Sequence, residues 1–83
     1  MLEKAIEFYE NDNFKEAYDI FYDLSLDKDK EAMYYMGMMY LNGQGVEADQ
    51  EKAMAYWKKA QRAGHIDAAY ALGEISASTK NIR

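Results

Sequence analysis

Apolar residues recur along this chain at intervals of three and four, the spacing that places them on one face of an α-helix. Ala32, Met36, Met39 and Tyr40 form one such series, and Ala53, Trp57 and Ala60 form another. The chain contains no proline, so nothing within these segments removes a backbone donor or clashes with the preceding turn. The pattern predicts helices over residues 2–10, 14–26, 30–41, 50–63 and 67–77.

Polar residues and glycines punctuate the series. Asn13, with Glu16 three positions later, has the spacing of a capping box, in which each side chain would serve a backbone N–H at the start of a helix. Asn42-Gly43-Gln44-Gly45 is poorly suited to continue a helix. Asp49 then stands where a carboxylate can cap the next helix. Gly64, after Lys58, Lys59 and Arg62, has the composition of a helix stop with cations near the negative helix end.

The pattern also repeats, with a period of 36 residues. Lys15-Glu16-Ala17 returns as Glu51-Lys52-Ala53, Phe21 as Trp57, Ala32 as Ala68, Tyr34 as Tyr70, and Met36-Gly37 as Leu72-Gly73. A fixed period of this length is the signature of stacked helical units, each of which buries its apolar face against the next.

Residues Ala32, Met36-Gly37, Tyr40, Gly43, Gly45-Val46, Asp49, Lys52-Ala53, Trp57, Lys59-Ala60, Gly64 and Ala68 together resemble the Sel1-like repeat, a subclass of the tetratricopeptide-type α-solenoids. Met36 departs from the leucine usual in that pattern, an apolar exchange of similar volume. Ala5, Phe8, Ala17, Phe21 and Leu24 resemble an ordinary tetratricopeptide unit, with the short Asn11-Asp12-Asn13 turn in place of the glycine loop. The resemblance implies an all-α superhelix of about five antiparallel helices, or two and a half repeats. A tetratricopeptide-like unit would cover residues 1–28, a Sel1-like unit 29–64, a terminal capping helix 65–77 and a tail 78–83. It further implies a scaffold or adaptor for other proteins and not an enzyme, although a fold alone does not fix a function.

Composition narrows the function. At 83 residues with 49% hydrophobic and 14% aromatic side chains, the chain is too apolar for a disordered tail and long enough for one small domain. The absence of cysteine excludes disulfides, thiolate metal sites and a cysteine nucleophile, and fits a reducing cytoplasm. Acidic residues Glu3 and Glu7 interrupt the start of the chain, where a secretory leader needs an apolar run, and no stretch is apolar enough to suggest a membrane span.

The net charge of −5 is unevenly distributed. Residues 1–31 hold ten acids and four bases, a net of −6, while the remainder carries +1. An acidic half of this kind argues against a nucleic-acid partner. It reads as a solvated helix face, or more narrowly as an attraction to a basic protein.

The inventory for catalysis is thin. His65 is the single histidine and serines occur only at 25, 76 and 78, which supplies no convincing nucleophile-base pair. His65, next to Gly64 in a turn, is expected to be structural or exposed, with a weak ligand or pH-sensitive contact as the alternative. Asp27, Asp29 and Glu31 alternate with Lys28 and Lys30 and read as a solvated connector. Gly43-Gln44-Gly45 lacks the lysine-hydroxyl pair of a phosphate loop. No cofactor is expected.

The aromatic surplus is the remaining lead. Phe8, Phe21, Tyr40 and Trp57 fit core positions. If Ala5, Gly37 and Gly73 mark the close-packing position of the first helix in each unit, the concave face carries Tyr34, Met38, Leu41 and Asn42. Ile6 and Tyr9 would extend it in the first unit and Tyr70 in the last. Tyr and Met offer large contact area with polar or adaptable edges, so Tyr9, Tyr34, Met38, Leu41, Asn42 and Tyr70 form the expected partner-binding groove. Simple packing between neighbouring helices is the competing account of the same rings. A homodimer through the aromatic face or the last helix is a further alternative, although Glu74 and Ser76, standing where the middle unit has Met38 and Tyr40, read as a polar terminal cap.

Overall fold

The computed structural model describes residues 1–80, and among these it contains five helices and no strand: α1 Leu2–Glu10, α2 Phe14–Leu26, α3 Lys30–Asn42, α4 Gln50–Arg62 and α5 Ile66–Lys80. Helix α3 runs one residue further than the apolar pattern predicts and α4 one residue less. Helix α5 continues through residues 78–80, where the pattern predicts a tail and where neither glycine nor proline stops it. Residues 81–83 of that expected tail lie outside the described residues. Each helix packs chiefly against its neighbour in sequence, giving a slab of 40 × 25 × 17 Å.

Helices α1 to α4 end in the same way. The N–H groups of Asn13, Asp29, Gln44 and His65 donate back to the carbonyls of Phe8, Leu24, Met39 and Ala60 at 2.8–3.1 Å. In each case the preceding residue has a positive φ: Asp12 63°, Lys28 65°, Gly43 67° and Gly64 96°. This backbone motif satisfies carbonyls that the helix leaves open, and it suits glycine best. Two of the four positions use other residues, at a cost of roughly 1–2 kcal/mol each.

Helix starts are less uniform. The carboxylates of Asp29 and Asp49 accept from the N–H groups of Ala32 (3.0 Å) and Lys52 (3.1 Å). Asp49 is the cap that the sequence predicts, whereas Asp29 is a cap where the sequence suggests only a solvated connector. The capping box expected at Asn13 does not form, since its side chain makes no cap bond. Asn13 has φ −86° and ψ 68°, a bent backbone quite unlike the extended Asp29 and Asp49.

The core falls into two clusters. The first joins Ala5, Ala17, Phe21, Ala32, Met36, Met39, Tyr40 and Ala53, and the second joins Met33, Trp57, Ala60 and Ala68. Between α3 and α4 the Trp57 indole lies directly on Gly37, where a Cβ would overlap the ring. The indole N–H donates to the Tyr34 carbonyl at 3.0 Å, which fixes the ring in that seat. The loop from Gly43 to Asp49 folds back over the first unit: Gly45 rests against Phe14, with no room for a Cβ, and the Asp49 N–H donates to the Tyr40 carbonyl at 2.8 Å.

Candidate interaction surface

Two runs of aromatic rings cross the helices. The first begins with half-buried Tyr9 of α1, set edge-on against Phe14 (5.4 Å), Phe21 (6.4 Å) and Tyr35 (5.1 Å). Tyr35 stacks on Phe21 at 4.8 Å with the ring planes 5° apart, and meets Tyr34 edge-on at 5.7 Å. Tyr34 in turn stacks on His65 at 4.5 Å and lies 6.4 Å from Trp57. Edge-to-face and offset-stacked pairs of this kind add roughly 0.5–1.5 kcal/mol each beyond burial, so the run ties one unit to the next.

His65 closes this run from the turn before α5. It is buried, its Nδ1 accepts from the Ala68 N–H at 3.1 Å, and its Nε2 faces a Glu31 carboxylate oxygen at 3.2 Å. The imidazole caps α5 and holds it to the start of α3, a structural role that uses both ring nitrogens.

The hydroxyls of the first run divide sharply. That of Tyr9 donates to Gln44 Oε1 at 2.9 Å, while those of Tyr34 and Tyr35 have no hydrogen-bond partner among the described residues. Burial raises the pKa of both phenols, helped by Asp67 near Tyr34 and Glu10 near Tyr35, which keeps them protonated and able to donate.

Met38 is half-buried and packs against the second core cluster. Leu41 and Asn42 are exposed at the end of α3. Tyr70 on α5 is 70% exposed, and the Glu74 carboxylate one turn further along the helix raises its phenol. Of the six residues expected to line a groove, Tyr9 and Tyr34 thus join through Tyr35 in one aromatic run and Met38 packs beside Tyr34's cluster, while Leu41, Asn42 and Tyr70 face solvent.

Sequence reasoning missed Tyr35, the hub between Tyr9 and Tyr34. Its signal was available, since it lies three residues after Ala32 and four before Met39 in the same apolar series. It also missed the second run, in which Tyr22 stacks on Tyr18 (6.0 Å), Tyr18 meets Tyr40 edge-on (6.2 Å) and Tyr40 stacks on Tyr56 (5.8 Å). The hydroxyls of Tyr18 and Tyr40 share a hydrogen bond of 3.0 Å. Burial, then that bond, push the Tyr18 phenol well above its ordinary range. Lys52 and Lys59 lie over Tyr40 and Tyr56 at 5.4 and 5.5 Å, a favourable contact of cation with ring face.

The family model of the Sel1 repeat matches residues 30–65, which is α3, the glycine loop, α4 and the turn that ends at His65. No curated protein and no solved structure matches the chain. Sel1 repeats generally mediate protein–protein interactions, and proteins built from them are typically non-catalytic. The match covers the hairpin in which Trp57 is seated on Gly37, and residues 30–65 form a Sel1 repeat within a chain of all-α, tetratricopeptide-type fold.

Proposed function

We propose that the chain is a non-catalytic adaptor whose face bearing Tyr9, Tyr34, Met38, Leu41, Asn42 and Tyr70 receives a peptide or helix of a partner protein. The observation that carries this reading is the state of the Tyr34 and Tyr35 rings. They are half-buried, and their hydroxyls have no partner among the described residues. Exposed Leu41, on α3 with these rings, and exposed Tyr70 on α5 add apolar area. A phenol anchored by one ring face offers contact area and a hydrogen bond at little conformational cost.

The acidic first half of the chain favours a protein partner over nucleic acid, and no described helix is long and apolar enough to cross a membrane. The lack of cysteine suits work in the cytoplasm. Affinity capture from soluble lysate tests the reading when wild type is compared with a Leu41→Ser, Tyr70→Ser variant. Both positions are exposed, so the variant keeps its fold, and it should lose the partner that wild type retains. Capture of the same proteins by both would refute the assignment.

One observation favours a second reading, a homodimer through the last helix. Gly73 has open space where a Cβ would stand, and Ile66 and Tyr70 on the same helix are 82% and 70% exposed. Light scattering across a range of protein concentrations separates the two, because a dimer sealed by α5 would dissociate when Tyr70 and Ile66 are replaced by Ser.

A further inference from the structure

Apart from the aromatic face, the molecule has a cleft of about 510 Å³ where the end of α2, the turn after it, α3 and the end of α4 meet. Leu26, Met33 and Ala63 supply its apolar lining, and Lys28, Lys59 and Arg62 supply three cations. No acidic residue lines it, in a chain with fifteen acids and ten bases. Among the described residues none of these three cations forms an ion pair. Leu26 beside them is 64% exposed.

The usual account of such cations is incomplete here. Lys59 and Arg62 in the last turn of α4 offset the negative end of that helix, but this explains neither the apolar lining nor Lys28. Lys28 holds φ 65°, a conformation that costs a non-glycine residue free energy and that glycine supplies at the equivalent ends of α3 and α4. As at Asp12 after α1, a non-glycine residue stands here, and Lys28 brings to the cleft a charge that glycine would not.

We infer that this cleft is a second docking site, for a partner segment in which an apolar side chain is flanked by carboxylates. The apolar side chain would sit against Leu26, Met33 and Ala63 while Lys28 and Arg62, joined by Lys59 on turning from Tyr56, pair with the acids. Charge complementarity selects this occupant, since among the described residues the three cations form no ion pair and no acid lines the cleft. The site shares no residue with the aromatic face, so an adaptor of this kind holds two segments at once.

The probe is an acetylated and amidated hexapeptide, Asp-Glu-Leu-Phe-Glu-Asp, titrated onto the full chain and followed by amide chemical shifts. Saturable shifts should be confined to residues 26–33 and 59–63. The Lys28→Gly, Arg62→Gln variant should bind about tenfold more weakly, and Lys28→Gly leaves the turn intact. Raising salt from about 0.05 to 0.5 M should weaken binding similarly. The Leu41→Ser, Tyr70→Ser variant should bind as wild type does, which separates this site from the aromatic face. Shifts centred on residues 34–42, equal affinity for the charge variant, equal affinity for a peptide with Ser in place of its acids, or no saturable binding would each overturn the inference.

Discussion

At Gly37 a single methyl group would have to share space with the Trp57 indole, and the indole cannot yield without losing its hydrogen bond to the Tyr34 carbonyl. Gly37→Ala should therefore lower unfolding free energy by about 1–3 kcal/mol, even though alanine is the better helix former by roughly 1 kcal/mol. Gly73 is the residue 36 positions on, with open space around it. There Gly73→Ala should stabilise by about 0.5–1 kcal/mol. Urea denaturation of the two variants against wild type measures both, and equal effects would show that Trp57 does not rest on Gly37. The sequence pairs these glycines by offset, but only the packing distinguishes them, since the helix that would cover Gly73 is not among the five. His65 shows a similar limit: its place in a turn was readable, but its three contacts come from Glu31, Tyr34 and Ala68, which no local pattern joins.

Helix ends show what short-range chemistry can and cannot reveal. Gly43, Gly64 and Asp49 act as the sequence predicts because their roles depend on their own backbone. Asn13 makes no cap bond because its own backbone, at φ −86° and ψ 68°, is bent where those of Asp29 and Asp49 are extended. Asp29 hid among alternating charges, although it caps α3 as Asp49 caps α4. Two predictions belong here. Lys28→Gly should raise stability by about 1 kcal/mol by relieving the left-handed conformation, a shift of roughly 4–8 °C in melting temperature for a chain of this size. Asp49→Ala should cost about 1 kcal/mol, whereas Asn13→Ala should cost much less because no side-chain bond is lost. Thermal melts of the three variants decide whether the caps are assigned correctly.

Across the whole molecule the 36-residue period holds wherever a neighbouring helix covers the position. Ala17 and Ala53, Phe21 and Trp57, and Ala32 and Ala68 are all buried, while Tyr34 is half-buried and its counterpart Tyr70 is exposed. The fold was legible because the repeat is written in core positions. The aromatic runs were only partly so, because Tyr35, Tyr18 and Tyr56 gain their meaning from rings on other helices. These runs also set an alkaline limit. The phenols of Tyr18, Tyr34, Tyr35 and Tyr56 are all raised, each first by burial, so the folded state holds its protons more tightly than the unfolded chain. Stability should be level below the ordinary phenol value of about 10 and fall as pH climbs through and beyond it. Urea midpoints between about pH 8 and 11 should show that fall, and Tyr18→Phe should reduce its slope.

The adaptor reading stands or falls on the exposed residues of α3 and α5. A partner captured by wild type, titrated calorimetrically onto the Leu41→Ser, Tyr70→Ser variant, should bind about tenfold more weakly or worse, with the melting temperature unchanged. Undiminished affinity in that variant would contradict the account and remove the aromatic face as the site of recognition.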